Sequence, residues 1–315
     1  MAESTILEDF PRSKKEFDRR FCDEEACLEY LFTMRWPYGF QCSVCGHDKH
    51  WKSRRGLYIC RICEHQHSVT AGTIFHGTRK PLLDWFSAIW WFSTQKTSIS
   101  AVNLQDQLSL GSYNTAWQWL QKLRACTVVP GREKLKGTVE ADEVVIGGEQ
   151  SGKRGRGAEH KTLVAFAVER EGKKLGRLRM EIIGDGSAKS LNFFVLANVA
   201  VGSTVKTDGW GGYNNLKSLG YRHEKTVQSK TDDKDSVVPG VHLTASLLKR
   251  WILGTFQGRF EPKFLQRYLD EFIFRFNRRK AGSPGMRFWR LLQNAAVTKP
   301  LSPFQLRNPN FLLYA

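Results

Sequence analysis

TVEADEVVI at 138–146, TLVAFAVER at 162–170 and KLGRLRMEII at 174–183 decide the fold of the larger part of this chain. Each run is short, rich in branched apolar residues and bounded by glycine-containing turns, the pattern of strands in a β-meander. Downstream, residues 190–199 read as a helix and TVKTD at 204–208 as a strand closing on an acid. Residues 242–256 and 263–280 read as two more helices, the second very basic on one side. Three strands, a helix, another strand and later helices describe an α/β domain. QSKTDDKDSVVPGV at 228–241 reads as an exposed loop between them.

Upstream the pattern changes. VVPGREKLKG at 128–137 reads as a boundary linker. Pro81 suits a helix start, and LLDWFSAIWWF follows it. Residues 98–124 read as two helices broken at Leu110-Gly111, with Trp117, Leu120 and Leu123 on one side of the second. That is the outline of a helix-turn-helix, or equally of a plain helical hairpin. Residues 15–34 predict one short helix with Phe17, Phe21, Cys27, Leu28, Leu31 and Phe32 near helical spacing, so Cys22 and Cys27 read as core residues and Cys126 as inert.

Between these helical regions stand Cys42-x-x-Cys45 and Cys60-x-x-Cys63, fourteen residues apart. Each pair offers two thiolates from one tight knuckle, and a hairpin would bring the knuckles together. Four thiolates suit tetrahedral Zn²⁺, and binding organises a small ribbon that has little core of its own. His47, His50, His65, His67 and His76 surround the pairs, and with four cysteines present they read as surface or DNA-facing residues rather than further ligands. Arg54 and Arg55, between the knuckles, are placed to meet phosphates.

The chain has 315 residues, a formal net charge of +17, 41% hydrophobic and 25% charged residues. This is a folded, aromatic-rich composition whose surface attracts polyanions. Seven cysteines, four of them paired in this way, point to metal and to a reducing compartment rather than to a disulfide framework. MAESTILEDF at the N-terminus lacks the charge and apolar pattern of a signal peptide, and no apolar run is long enough to cross a membrane. The expected location is cytoplasmic and nucleoid-associated, without a membrane partner. Gly147, Gly148 and Gly152 lack the order of a phosphate-binding loop, which excludes ATP binding there.

Asp142 lies in one β-rich run and Asp208 closes another. Acids at the ends of core strands reach the crevice where ions and substrate meet, and two such carboxylates can share a divalent cation. A pair of ions about 4 Å apart activates a nucleophile and stabilises a leaving oxygen in phosphoryl transfer. From spacing alone, two turn or surface aspartates fit as well.

With these stretches assembled, the chain resembles bacterial insertion-sequence transposases of the ISXO2-like/IS1595 type, which join an N-terminal zinc ribbon to a DDE domain. The resemblance is carried by the cysteine pairs, VEADEVVIGG at 139–148, TDGWGGY at 207–213, LLKRWILGTF at 247–256 and LQRYLDEFIFRFNRR at 265–279. It implies an α/β ribonuclease-H-like core with a mixed sheet and flanking helices, preceded by the ribbon and a helical segment. The corresponding division is 1–75 for the first helix and ribbon, 76–130 for the helical segment, 131–290 for the catalytic domain and 291–315 for a tail.

The resemblance also implies metal-dependent DNA strand cleavage and strand transfer at element ends, with structural Zn²⁺ and catalytic Mg²⁺ or Mn²⁺. The partners are then double-stranded DNA at terminal inverted repeats, target DNA and further copies of the chain assembled on DNA. Asp142 and Asp208 correspond to the first two metal ligands. Lys249 corresponds to the basic residue seven positions after the third, where His242 stands instead of glutamate. The i, i+7 spacing puts His242 and Lys249 on one helix face. Imidazole suits Mn²⁺ better than Mg²⁺, and one carboxylate charge is absent. Glu143 and Glu271 are candidates to assist, although Glu143 faces away from Asp142 on a regular strand and Glu271, in the following helix, can pair with Arg275 at i+4. Trp210 and Tyr213 are candidates to stack on an unpaired base, or core aromatics of a tight loop. Lys249, Arg250, Arg267, Arg275, Arg278 and Arg279 would flank a phosphate track, and Asn114 opens the possible recognition helix. The alternative function is an inactive, transposase-derived DNA-binding or regulatory protein.

Overall fold

The computed structural model describes residues 8–129, 131–147, 162–226, 237–257 and 260–309. They form two compact units, Met1–Val128 with Lys280–Ala315, and Val129–Arg279. Among the described residues no helix is long and apolar enough to cross a membrane.

The first unit begins with α1 (Lys14–Arg20) and α2 (Glu24–Arg35), not the single helix expected over 15–34. The break has a local cause. The Asp23 side chain accepts the amide hydrogen of Ala26 and restarts the helix, a cap worth about 1 kcal/mol. Cys27 is buried as expected, and burial raises its thiol to about 12. Cys22 falls in the break and is exposed, which corrects its reading as a core residue.

A three-stranded antiparallel sheet follows, built from β1 (His50–Lys52), β2 (Tyr58–Cys60) and β3 (Gln66–His67). Its aromatic face lies on α2, where Phe32 stacks on Tyr58 with centroids 4.5 Å apart. Then come α3 (Leu82–Thr94), α4 (Ala101–Gln107) and α5 (Tyr113–Ala125). The hydroxyls of Ser100 and Ser112 cap α4 and α5, so the helical break lies where the glycine-containing turn was read. Trp85 of α3 stacks on Trp119 of α5 at 3.8 Å and ties the last helix to the first.

The second unit is a five-stranded mixed sheet in the order β6-β5-β4-β7-β8. Its strands are β4 (Thr138–Ile146), β5 (Thr162–Glu171), β6 (Lys174–Ile182), β7 (Thr204–Thr207) and β8 (Arg222–Lys225). β4, β5 and β6 run antiparallel as a meander, while β7 and β8 join parallel on the other side of β4. The crossover that allows the parallel pairing carries α6 (Ala188–Asn198). Strand alternation sends Val139, Ala141, Ala165 and Ala167 to the face covered by Leu191, Phe194 and Val195 of α6. The other face receives α7 (Pro239–Phe256), which packs on β4 and β5, and α8 (Leu265–Asn277), which packs on β6. A mixed sheet covered by helices on both faces is the ribonuclease-H-like arrangement that was expected.

Most of the loop read over 228–241 lies outside the described residues. Its last part is not exposed, since Val237 and Val238 are buried against the start of α7. Gly148 and Gly152 also lie outside the described residues. The chain then returns to the first unit with α9 (Pro284–Val297), packed on α2 and α3, and α10 (Pro303–Arg307), packed on α5. The units divide after Val128 and Arg279, so residues 280–290 belong with the N-terminal unit and the stretch read as a tail includes packed helix.

Candidate metal centre and candidate active site

The four cysteines converge. Their sulfur atoms all lie within 4.8 Å of one another. Cys42 and Cys63 approach to 3.5 Å, as do Cys45 and Cys60. Sulfur atoms at the corners of a tetrahedron around Zn²⁺, each 2.3 Å from the metal, stand about 3.8 Å apart, so the cage fits the ion. The two knuckles share a backbone plan. Gly46 donates its amide hydrogen to Cys42 O, and Glu64 donates to Cys60 O, each with positive φ. Burial opposes ionisation of Cys42, but the amides of Cys45 and Val44 and neighbouring thiol hydrogens bring it down to about 6. The amides of Cys63 and Ile62 likewise lower Cys60.

The surrounding histidines divide. His67 is buried, and its Nε2 lies 3.3 Å from Cys42 Sγ, so it is part of the wall of the cage rather than a surface group. His50 is enclosed by Phe40, Phe32 and Tyr58. His65 and His76 are exposed. Arg54 and Arg55 stand exposed at the tip of the β1–β2 hairpin, and Asn114 is exposed on the first turn of α5.

The second site begins at the parallel pair β4–β7, where Glu140 stands opposite Lys206. Continued by two residues, that register points Asp142 toward the end of β7, which Asp208 follows directly. Asp142 Oδ1 accepts the Glu143 amide hydrogen at 2.8 Å, and Asp208 Oδ1 accepts the Trp210 amide hydrogen at 2.9 Å. The first turn of α7 brings His242, whose Nε2 is 3.7 Å from Asp142 Oδ2. That is too long for a hydrogen bond. It is slightly wider than the roughly 3 Å between adjacent ligands of an ion with 2.1 Å bonds in octahedral geometry. Two carboxylates and an imidazole are ligand types that a divalent cation accepts, but here the three do not bring their ligand atoms within 4.8 Å of one another. Among the described residues, no group besides the four cysteines draws three such ligand atoms within 4.8 Å.

Tyr213 reports the charge gathered here. Burial first, then the negative charges of Glu143 and Asp142, a hydrogen bond and the charge of Asp208, hold its phenol well above the usual range. The phenol stays protonated and donates to Glu143 Oε2 at 3.2 Å. Glu143 thus faces away from α7, as strand alternation requires, and Tyr213 is a core aromatic rather than a stacking platform. Trp210 is 42% exposed and fixed by the hydrogen bond from its indole nitrogen to Gly186 O at 2.8 Å.

Lys249 and Arg250 are exposed on α7. The rest of the expected phosphate track is altered. Arg267 is buried, and Arg275 is turned inward onto Glu271 at 2.9 Å, with only 10% and 0% of those two side chains exposed. Arg267, Glu271 and Arg275 recur at i, i+4, i+8 and lie on the packed side of α8, so neither arginine is available to a phosphate and Glu271 is committed to its ion pair. Arg278 and Arg279 lie over the rings of Phe274 and Phe276, and Arg279 also donates to Gly176 O at 3.2 Å.

Sequence reasoning missed Glu140. This carboxylate is 4% exposed, on the same strand face as Asp142, and takes the backbone amides at the start of α7. A charged residue two positions from Asp142, inside an apolar strand, was the available signal.

Residues 134–277 match the family described as ISXO2-like transposase domain, and residues 22–66 match the one described as transposase zinc-ribbon domain. A protein of Halobacterium salinarum, described as an uncharacterized protein in transposable element ISH50, is 26% identical over 286 residues, covering 82% of this chain and 94% of that protein. Among solved structures, a chain of the simian T-cell lymphotropic virus intasome in complex with PP2A regulatory subunit B56 gamma aligns with a TM-score of 0.29 and 12% identity. The alignment covers 54% of this chain and 63% of that one, a likeness too slight to carry fold or function.

Proposed function

The chain belongs to the IS1595-type DDE transposase family with an N-terminal zinc ribbon, and we propose that it catalyses DNA strand cleavage and strand transfer at the ends of its element. The observation that carries this reading is the approach of His242 to 3.7 Å from Asp142, with Asp208 on the neighbouring strand end. Asp142, Asp208 and His242 would hold divalent ions, Mg²⁺ or Mn²⁺. When bound, such ions neutralise phosphate charge and acidify a hydroxyl for in-line displacement. His242 supplies a nitrogen where the related enzymes supply glutamate, so the site carries one negative charge fewer and favours Mn²⁺. Lys249, two helical turns along from His242, pairs with a backbone phosphate and sets the scissile bond over the carboxylates. Lys249, Arg250 and Arg278 hold the duplex without reading it. Arg54, Arg55 and Asn114 engage the element end from the other unit. Trp210 offers a half-exposed ring to an unpaired base at a cleaved end. Two ends must be joined, so copies of the chain assemble on DNA, in the cytoplasm and on the nucleoid.

Water attacks the phosphodiester at the element end and leaves a 3′-hydroxyl, which then attacks target DNA. Both steps are displacements at phosphorus and need no covalent link to the protein. The test is cleavage of a short duplex carrying the element end, in Mg²⁺ and Mn²⁺ separately. Asp142→Ala abolishes cleavage while DNA binding persists, and cleavage retained in that variant overturns the assignment. His242→Glu moves activity toward Mg²⁺. The missing carboxylate at position 242 favours a second reading, an inactive DNA-binding derivative, for which no metal and neither variant yields cleavage.

A further inference from the structure

We propose that Glu140 is a positioning residue that fixes the separation of Asp142 from His242 by clamping the start of α7 to β4. The inference rests on the reading of Asp142 and His242 as ligands of one metal site.

The clamp is built from both elements. The first amides of a helix lack partners within it, and Val238, at the cap position of α7, supplies no side-chain hydrogen bond. Glu140 reaches across from the sheet instead. Its Oε2 accepts hydrogen bonds from the amides of Gly240 at 2.6 Å and Val241 at 3.3 Å. Its Oε1 lies 3.2 Å from Arg170 Nε, and the two side chains are 5% and 17% exposed. A buried carboxylate at a helix start also meets the positive end of the helix dipole.

Glycine at 240 is part of the same fit. A Cβ there would lie 2.7 Å from Glu140 Oε2, 2.9 Å from Leu175 Cδ2 and 3.2 Å from Arg170 Nη1. A larger residue there would push aside the ends of these three side chains, the Glu140 carboxylate among them. Glu140 and Asp142 are successive residues on one strand face, and Gly240 and His242 are two apart in the first turn of the helix. Fixing the first pair in contact therefore fixes the second pair at 3.7 Å. Without the clamp, α7 keeps its apolar packing but loses its register on the strand, and the imidazole drifts from the aspartate. A residue behind a ligand that sets its geometry is worth about 10–100-fold in metal affinity.

The experiment measures Mn²⁺ binding to the zinc-loaded full chain by the loss of the free-ion electron paramagnetic resonance signal, alongside thermal melting. Glu140→Ala and Gly240→Ala weaken Mn²⁺ binding about tenfold or more with the zinc retained. Glu140→Gln keeps an oxygen for the Gly240 amide and binds Mn²⁺ close to the wild-type level even where it melts earlier. Gly240→Ala keeps both charged residues, so it carries the test where Glu140→Ala does not fold. Asp142→Ala is the control. Wild-type affinity in both alanine variants at 140 and 240, with loss in Asp142→Ala, overturns the clamp and leaves the active-site reading standing. Wild-type affinity in Asp142→Ala, or no binding by the wild type, overturns that reading and the clamp with it.

Discussion

At Asp270, loss of hydration outweighs the 3.1 Å hydrogen bond from Gln266 and the positive charge of Arg132, and the carboxyl rises to about 6. An unfolded aspartate titrates near 3.9, so the folded chain holds this proton more tightly. Between about pH 4 and pH 6 the native state then binds more protons than the unfolded state, and this group lowers stability as pH rises through that window. Asp270→Asn keeps an acceptor for Gln266 and removes the penalty. Its melting temperature at pH 7.5 is expected to gain on the wild type by a few degrees, with little gain at pH 4.5. An equal difference at both pH values counts against the assignment. Glu271 makes the opposite case, because its charge is matched. Glu271→Gln deprives Arg275 of its carboxylate and should cost about 3 kcal/mol of stability, measured by urea unfolding, without changing Mn²⁺ affinity. A selective loss of Mn²⁺ would show that Glu271 serves the metal after all. These residues also mark what was legible. The four cysteines announce themselves by spacing and converge, while Asp142, Asp208 and His242 were readable only as candidates, through resemblance. Glu140 showed only as a charge inside an apolar strand, and its contact with a helix one hundred residues away was not readable from that.

Among elements, the zinc knuckles are nearly repeats of one another, and they differ where strain is greatest. The residue after the second cysteine has φ of 74° at Gly46 and 56° at Glu64. Only glycine adopts that conformation without cost, and a side chain there loses roughly 1 kcal/mol or more. Glu64→Gly should therefore hold zinc against a competing chelator at least as well as the wild type, despite the added freedom of the unfolded chain. Faster zinc loss from the variant would mean that the Glu64 side chain, not the backbone, matters. Strands and helices with strong patterns were readable from sequence: the β4–β6 meander, α6, α7 and the α4–α5 break. β8 was not, because RHEK at the sheet edge has no apolar alternation to reveal it. α9 was cut by a boundary set at 290, since its buried stripe of Phe288, Trp289, Leu292 and Ala295 has meaning only against α2 and α3.

Across the whole molecule, a net charge of +17 favours attraction to any polyanion, and so it does not by itself reveal where DNA would be read. The distinction lies in how binding responds to salt and to sequence. Each phosphate neutralised by a lysine or arginine releases counterions and adds about 0.9 to the magnitude of the slope of log K against log salt. Arg54 and Arg55 are exposed at a hairpin tip, where charge is the only thing they offer. Replacing both with alanine should lower that slope by about 2, equally for duplexes with and without the element end. Asn114 differs, because an amide can pair bidentately with an adenine edge and carries no charge. Asn114→Ala should leave the salt slope unchanged and cut the preference for the element end by about 1–3 kcal/mol. Fluorescence anisotropy titrations on both duplexes at several salt concentrations separate the two effects. An Asn114→Ala variant that keeps full preference would make α4–α5 an ordinary helical hairpin. A double arginine variant with the wild-type slope would take the ribbon tip off the DNA and leave the phosphate contacts to Lys249, Arg250 and Arg278 of the other unit.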